Sequence, residues 1–202
     1  MKLLFKKLFK LPIQKKGMEK IPVGLSNRHV HLCKQDLEKL FGKDYELKVL
    51  RNLRQPGQFA AEEKVEIINR GCLSARIVGP IRSHTQVEIL SSDQDILGLK
   101  APTRISGNIE DTPGIRIKGP KGVIKIKKGV IIAEKHLHLS EEESRVLNLK
   151  TGSKVKLQHP NGTEFEVQVR TGKDHLSEFH LDKDEANSLG IKNGNTVRIT
   201  RK

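Results

Sequence analysis

A mainly β fold, built as two tandem, repeat-related β-barrel domains capped by short helices, is what this 202-residue chain predicts, on three observations. Apolar residues alternate with polar ones over many short runs, the pattern of half-buried strands. Asn161-Gly162 separates two such runs and supplies the positive backbone angles of a tight hairpin turn. A stretch near the start recurs in the second half, so one supersecondary unit is used twice.

Taken in order, residues 1–16 place Leu4, Leu8 and Leu11 with Phe5 on one helical face among lysines, a short basic amphipathic helix. It is too short and too often broken by lysine to span a bilayer, and it lacks the apolar core and cleavage site of a secretory signal. A membrane surface, a partner protein or solvent all suit it. Next comes His29-Val30-His31-Leu32, then a helix over 34–41 and strands at 65–68, 73–78, 85–90, 115–118 and 123–127. The second half opens on His136-Leu137-His138-Leu139. A helix follows over 141–147, headed by Ser140 and Glu143 as a capping box. The hairpin spans 155–169 around Asn161-Gly162, and a last helix covers 183–189. Cys33 stands where the second copy has Ser140, and reads as a small residue at a helix entry rather than as a further ligand.

The two HxH pairs carry the chemistry. In an extended strand residues i and i+2 point to the same face, so both histidines of a pair can reach one ion. Val87-Glu88-Ile89-Leu90 through Leu97-Gly98 aligns without a gap to Phe179-His180-Leu181-Asp182 through Leu189-Gly190, which sets Glu88 opposite His180. The pairs are 107 residues apart and Glu88 and His180 are 92 apart, so the first copy holds 15 extra residues. These fall mostly between His31 and Val65, around Leu53 to Glu63, a candidate functional loop. Each copy then offers three ligands: His29, His31 and Glu88, and His136, His138 and His180. Imidazole and carboxylate suit zinc or another borderline divalent ion, and three protein ligands leave a position open for water or substrate.

Composition narrows the partners. A net charge of +14 favours an anion. Aromatic content of 3% with no tryptophan gives few stacking platforms, so nucleic acid is disfavoured against a small polyanion such as a phosphate ester or a nucleotide-bearing cofactor. The two cysteines argue against a disulfide framework and point to a reducing cytosol. Hydrophobic content of 35% permits ordinary cores.

Several motifs occur together: the HxHL pair, Gln55-Pro-Gly-Gln-Phe-Ala-Ala-Glu-Glu, Gly79-Pro-Ile-Arg82, Thr85-Gln-Val-Glu88, Ala101-Pro-Thr-Arg-Ile-Ser106-Gly, the second HxHL, and His180 to Asn187. In this order they resemble the phosphate propanoyltransferase family of bacterial microcompartments, from Ile21 onward. The resemblance implies interconversion of acyl-CoA plus phosphate with acyl phosphate plus CoA, acetyl or propanoyl, on two β-barrel domains with two metal ions, usually zinc. It further implies one zinc on His29, His31 and Glu88, the other on His136, His138 and His180, with Arg82 binding phosphate and Ser26, Arg76 and Asn187 contacting CoA. By the same resemblance the chain divides into an extension at 1–20, a barrel at 28–133 and a barrel at 134–202 that gains strand 21–27. A homodimer is expected, as is a cytoplasmic location, with residues 1–16 able to target a microcompartment shell protein. His84 has no assigned role, and His159 and His175 are expected in solvent. Direct transfer needs no acyl-enzyme, since Ser106 has no base identified beside it. Two other readings stay open: a metal-dependent hydrolase of a phosphate or thioester, and a metal-stapled module that binds a polyanion.

Overall fold

A computed structural model describes residues 20–200. The amphipathic segment over 1–16 lies outside the described residues. In chain order the strands are β1 (Ile21–Ser26), β2 (His29–His31), β3 (Val49–Asn52), β4 (Phe59–Ile68), β5 (Cys72–Gly79), β6 (Gln86–Ile89), β7 (Thr103–Arg104), β8 (Ile115–Lys118), β9 (Val123–Ile126), β10 (Val130–Ala133), β11 (His136–Ser140), β12 (Lys154–Gln158), β13 (Glu164–Gly172), β14 (Glu178–Asp182) and β15 (Thr196–Thr200). The helices are α1 (Lys34–Phe41), α2 (Asp93–Leu97), α3 (Glu141–Leu147) and α4 (Lys183–Ser188).

The fold is mainly β, in two related units. Strands β1-β14-β11-β13-β12-β15 close into a barrel, and β2 to β10 form a nine-stranded sheet in the order β7-β10-β6-β2-β5-β4-β8-β9, with β3 paired to β4. The alternation explains both. In β8 Ile115 and Ile117 face the core while Arg116 and Lys118 face water; in β12 Val155 and Leu157 do the same between lysines. Each unit has its own core, one around Val30, Ile67, Ile77 and Ile117, the other around Ile21, Leu137, Leu157 and Phe179.

The internal repeat is visible in the pairing. In the first unit β2 runs antiparallel to β6 with His29 opposite Glu88, and parallel to β5; in the second, β11 runs antiparallel to β14 with His136 opposite His180, and parallel to β13. The strands leading into each HxH are exchanged. Strand β1 pairs with β14 and β15 of the barrel, while β10, which precedes the second HxH, pairs with β6 of the sheet. The extra residues of the first copy form β3 and the first half of β4, with a bulge between Ala60 and Lys64. A strand expected from 65 therefore begins at Phe59.

Candidate functional site

Each candidate ligand sits on a strand, on the face away from its own core. Val30 and Leu32 enter the first core between and beside His29 and His31; Leu137 and Leu139 do so in the second, as do Val87 and Ile89 around Glu88, and Phe179 and Leu181 around His180. Even so, His31, Glu88, His136 and His138 are all less than 7% exposed. Side-chain bonds join the two units at Gln55–Glu178, Arg54–Ser177 and Ser92–Asp184.

The structure brings both expected triads together. The candidate ligand atoms of His29, His31 and Glu88 lie within 4.8 Å of one another, and so do those of His136, His138 and His180. The Nε2 atoms are 3.1 Å apart in His29 and His31 and 3.0 Å apart in His136 and His138. Nδ1 of His29 donates to the Asn27 carbonyl, Nδ1 of His31 to Val78 and Nδ1 of His136 to Glu134. A carbonyl only accepts, so these Nδ1 atoms hold the protons and the neutral rings present bare lone pairs at Nε2. Two facing lone pairs cannot bond each other. A shared cation resolves the conflict, and two nitrogens about 2.0–2.1 Å from a tetrahedral zinc would stand about 3.3 Å apart. The Glu88 oxygens lie 3.4 Å from His29 Nε2 and 3.7 Å from His31 Nε2. The donor sets fit a divalent metal.

The electrostatics agree with neutral imidazoles. Burial, and then the neighbouring His29, push His31 down to about 3; burial and His180 push His136 down to about 3, and burial with His136, His180 and His175 lowers His138 further. Burial works against the charge of Glu88, yet His29, His31, a hydrogen bond from Ser106 and Arg82 hold its carboxyl down to about 2. Ser106 thus has a carboxylate beside it, where none was expected. At so low a pKa Glu88 is a poor proton acceptor at neutral pH, and the serine is also committed to accepting from Arg82 (3.0 Å) and Gln86 (2.9 Å).

Arg82 is half-buried at the end of β2, where its backbone N–H donates to Leu32. Burial lowers its pKa, Glu88 opposes this, and the charge of Arg170 lowers it again. Arg170 was missed by sequence reasoning. It stands on β13 in register with His138, half-buried, with Glu88 of the other unit drawing on its charge. Among 38 lysines and arginines nothing marked it.

The three expected CoA contacts lie on β1, β5 and α4. Ser26 ends β1 in register with Asp182, whose carboxylate caps the helix α4 that carries exposed Asn187. Arg76 lies on β5 opposite His29, and its Nη1 already donates to the carbonyls of Ala61 and Glu62. Two histidines differ from expectation. His159 is buried in the hairpin turn, where its Nδ1 accepts from Asn161 N–H; His175 packs on the second triad, its Nδ1 3.2 Å from Nδ1 of His138. His84 is exposed beside Ser83.

Comparison with known proteins follows the same outline. The family model described as phosphate propanoyltransferase matches residues 22–192. A protein named phosphate propanoyltransferase from Thermotoga maritima is 44% identical over 185 residues, 89% of this chain and 88% of its own. One so named from Rhodopseudomonas palustris is 41% identical over 187 residues, 90% of this chain and 83% of its own, and one from Citrobacter freundii is 42% identical over 180, 86% and 85%. Among the described residues no helix is long and apolar enough to cross a membrane.

Proposed function

The chain belongs to the phosphate propanoyltransferase family and is a phosphate acyltransferase; from this premise we propose that it interconverts acetyl- or propanoyl-CoA plus phosphate with the acyl phosphate plus CoA, by direct transfer. A phosphate oxygen attacks the thioester carbon, the C–O bond forms as C–S breaks, and the phosphate proton leaves with the CoA sulfur. The observation that carries the reading is Arg82, half-buried and donating to Ser106 beside Glu88, with the charge of Arg170 of the other unit acting on it. Two half-buried guanidiniums that repel each other, offset by Glu88, are relieved by a multiply charged anion, and a guanidinium fork matches phosphate oxygens. Holding that anion against the thioester reduces the entropy and repulsion of their encounter.

The two triads are the metal sites, and zinc matches their ligands best. Bound there, the ions supply electrophilic stabilisation for a carbonyl oxygen or a departing thiolate. Glu88 lowers the net charge of the first site relative to the all-imidazole second. Ser26 and Asn187 at one end of β1 and α4, and Arg76 beside His29, are proposed as CoA contacts. The units are taken as 28–133 and 134–202 with 21–27, the active form as a cytoplasmic homodimer, and residues 1–16 as the segment that reaches a microcompartment shell.

The test is thiol release from propanoyl-CoA with and without phosphate, alongside metal analysis. Release should require phosphate. His136→Ala should lose one metal and turnover, and Arg82→Ala should keep both metals while losing about 10²- to 10³-fold in rate, the scale of one charge-stabilising donor. Normal phosphate-dependent turnover in folded Arg82→Ala removes the phosphate assignment. The open position on each triad also suits a hydrolase, which would release CoA in water alone.

A further inference from the structure

The second triad is braced by the first unit. In the first unit Gln86 lies two residues before Glu88, on the same face of β6, and its Nε2 donates to Glu88 Oε1 at 2.7 Å. The repeat puts Glu178 in the same position before His180 on β14. There Nε2 of His180 donates to Glu178 Oε2 at 2.8 Å. Each third ligand therefore has a complementary neighbour: an amide donor beside the carboxylate, a carboxylate acceptor beside the imidazole.

The supports behind these neighbours differ. Gln86 is held within its own unit, donating to Ser106 and accepting from Gly107 N–H at 2.8 Å. Glu178 is held from across the junction. Gln55, on the turn between β3 and β4, donates from Nε2 to Glu178 Oε2 (2.9 Å) and to the Leu176 carbonyl (2.9 Å), and its Oε1 accepts from Leu176 N–H (3.2 Å). Gln55 is 2% exposed and Glu178 8%. Gly24 of β1 closes the other side: a Cβ there would come within 2.6 Å of Glu178 Oε1. The carboxylate has one seat.

We propose that Glu178 and Gln55 are positioning residues of the His136, His138, His180 centre, Glu178 fixing the His180 ring and Gln55 fixing Glu178. The proposal rests on reading that triad as a metal centre. With Nε2 of His180 engaged by the carboxylate, Nδ1 is the nitrogen left for the ion, the carboxylate–histidine–metal arrangement that orients a ring and raises its basicity. The extra residues of the first copy then have a purpose: they carry Gln55 to the other unit's metal site.

The experiment follows zinc extraction from the full-length zinc-loaded chain by a chromogenic chelator, with circular dichroism and thermal unfolding as controls for folding. Wild type should release two zinc ions in two phases. In Gln55→Leu one phase should quicken by about 10- to 100-fold and the other stay put, the scale of losing an outer-shell partner. Glu178→Gln keeps an acceptor oxygen but loses its charge, so it should quicken the same phase by a smaller factor, and it serves if Gln55→Leu does not fold. Arg54→Ala removes the neighbouring bond from Arg54 to the Ser177 carbonyl and should leave both phases within about 2-fold. A wild type without metal overturns the metal reading itself. Two ions with unchanged phases in Gln55→Leu and Glu178→Gln, or equal quickening in Arg54→Ala, overturns only the positioning role.

Discussion

At the scale of single residues, burial holds His31 and His136 neutral while Glu88 stays ionised, and this has a consequence for stability. His31 and His136 stay unprotonated in the fold down to about 3, whereas unfolded they take a proton below about 6.5. As pH falls through that window the unfolded state binds more protons, so stability is lost, at about 1.4 kcal/mol per pH unit for each histidine. Glu88 acts in the same direction lower down. Its folded pKa of about 2 lies under the usual 4.5, so the stability it contributes above 4.5 is lost as pH falls towards 2. Urea midpoints of the chelator-stripped protein should therefore fall steadily below pH 6.5, and His31→Asn with His136→Asn should flatten the decline. A midpoint constant from pH 7 to pH 5 in the native sequence contradicts this account. The grouping of the two triads was legible because strand alternation and the ungapped repeat are sequence properties. Arg170 and Gln55 were not assigned roles, because their significance comes from register and from contacts across the junction, and neither leaves a periodic trace.

At the scale of elements, the helices and strands that obey local rules were readable. Helix α1 spans the expected residues, and α3 starts on its capping box, with Ser140 accepting from Glu143 N–H and Glu143 reaching back. Helix α2, five residues long, was not read as a helix, although its alignment with α4 offered the clue. Strand β7, two residues long, is too short to show a period, whereas β15 alternates strictly as Thr196-Val-Arg-Ile-Thr200 and was overlooked. The exchange of β1 and β10 could not be derived from local pattern, and it bears on how the units fold. A piece covering 134–202 lacks β1, leaving β14 and β15 with open edges where the intact chain closes the barrel. That piece should show no cooperative unfolding. Joining residues 20–27 after Lys202 through a short Gly/Ser loop should restore it, because β1 runs antiparallel to β15 and can follow it as a hairpin. Cooperative unfolding of 134–202 alone would show that β1 is dispensable to the barrel.

At the scale of the whole molecule, charge and site act together. On the proposed function, a net charge of +14 would attract a CoA thioester, whose phosphates are far from the reacting carbon, before any specific contact forms. Residues 1–16 carry six lysines and no acidic residue, so deleting them takes the net charge from +14 to +8. Most of the attraction should survive in the body that holds Arg82 and Arg170. Raising salt from about 20 to about 200 mM shortens the Debye length from about 20 Å to about 7 Å and screens that attraction. The rate constant kcat/KM for propanoyl-CoA should then fall by about 3- to 10-fold. Propanoyl pantetheine, which presents the same thioester without phosphates, should be nearly insensitive, and the chain lacking residues 1–16 should keep most of the salt dependence with CoA. Equal salt dependence for both thioesters would place the effect on the phosphate co-substrate at the arginine pair instead. Loss of the dependence on truncation would place it in the lysine-rich segment.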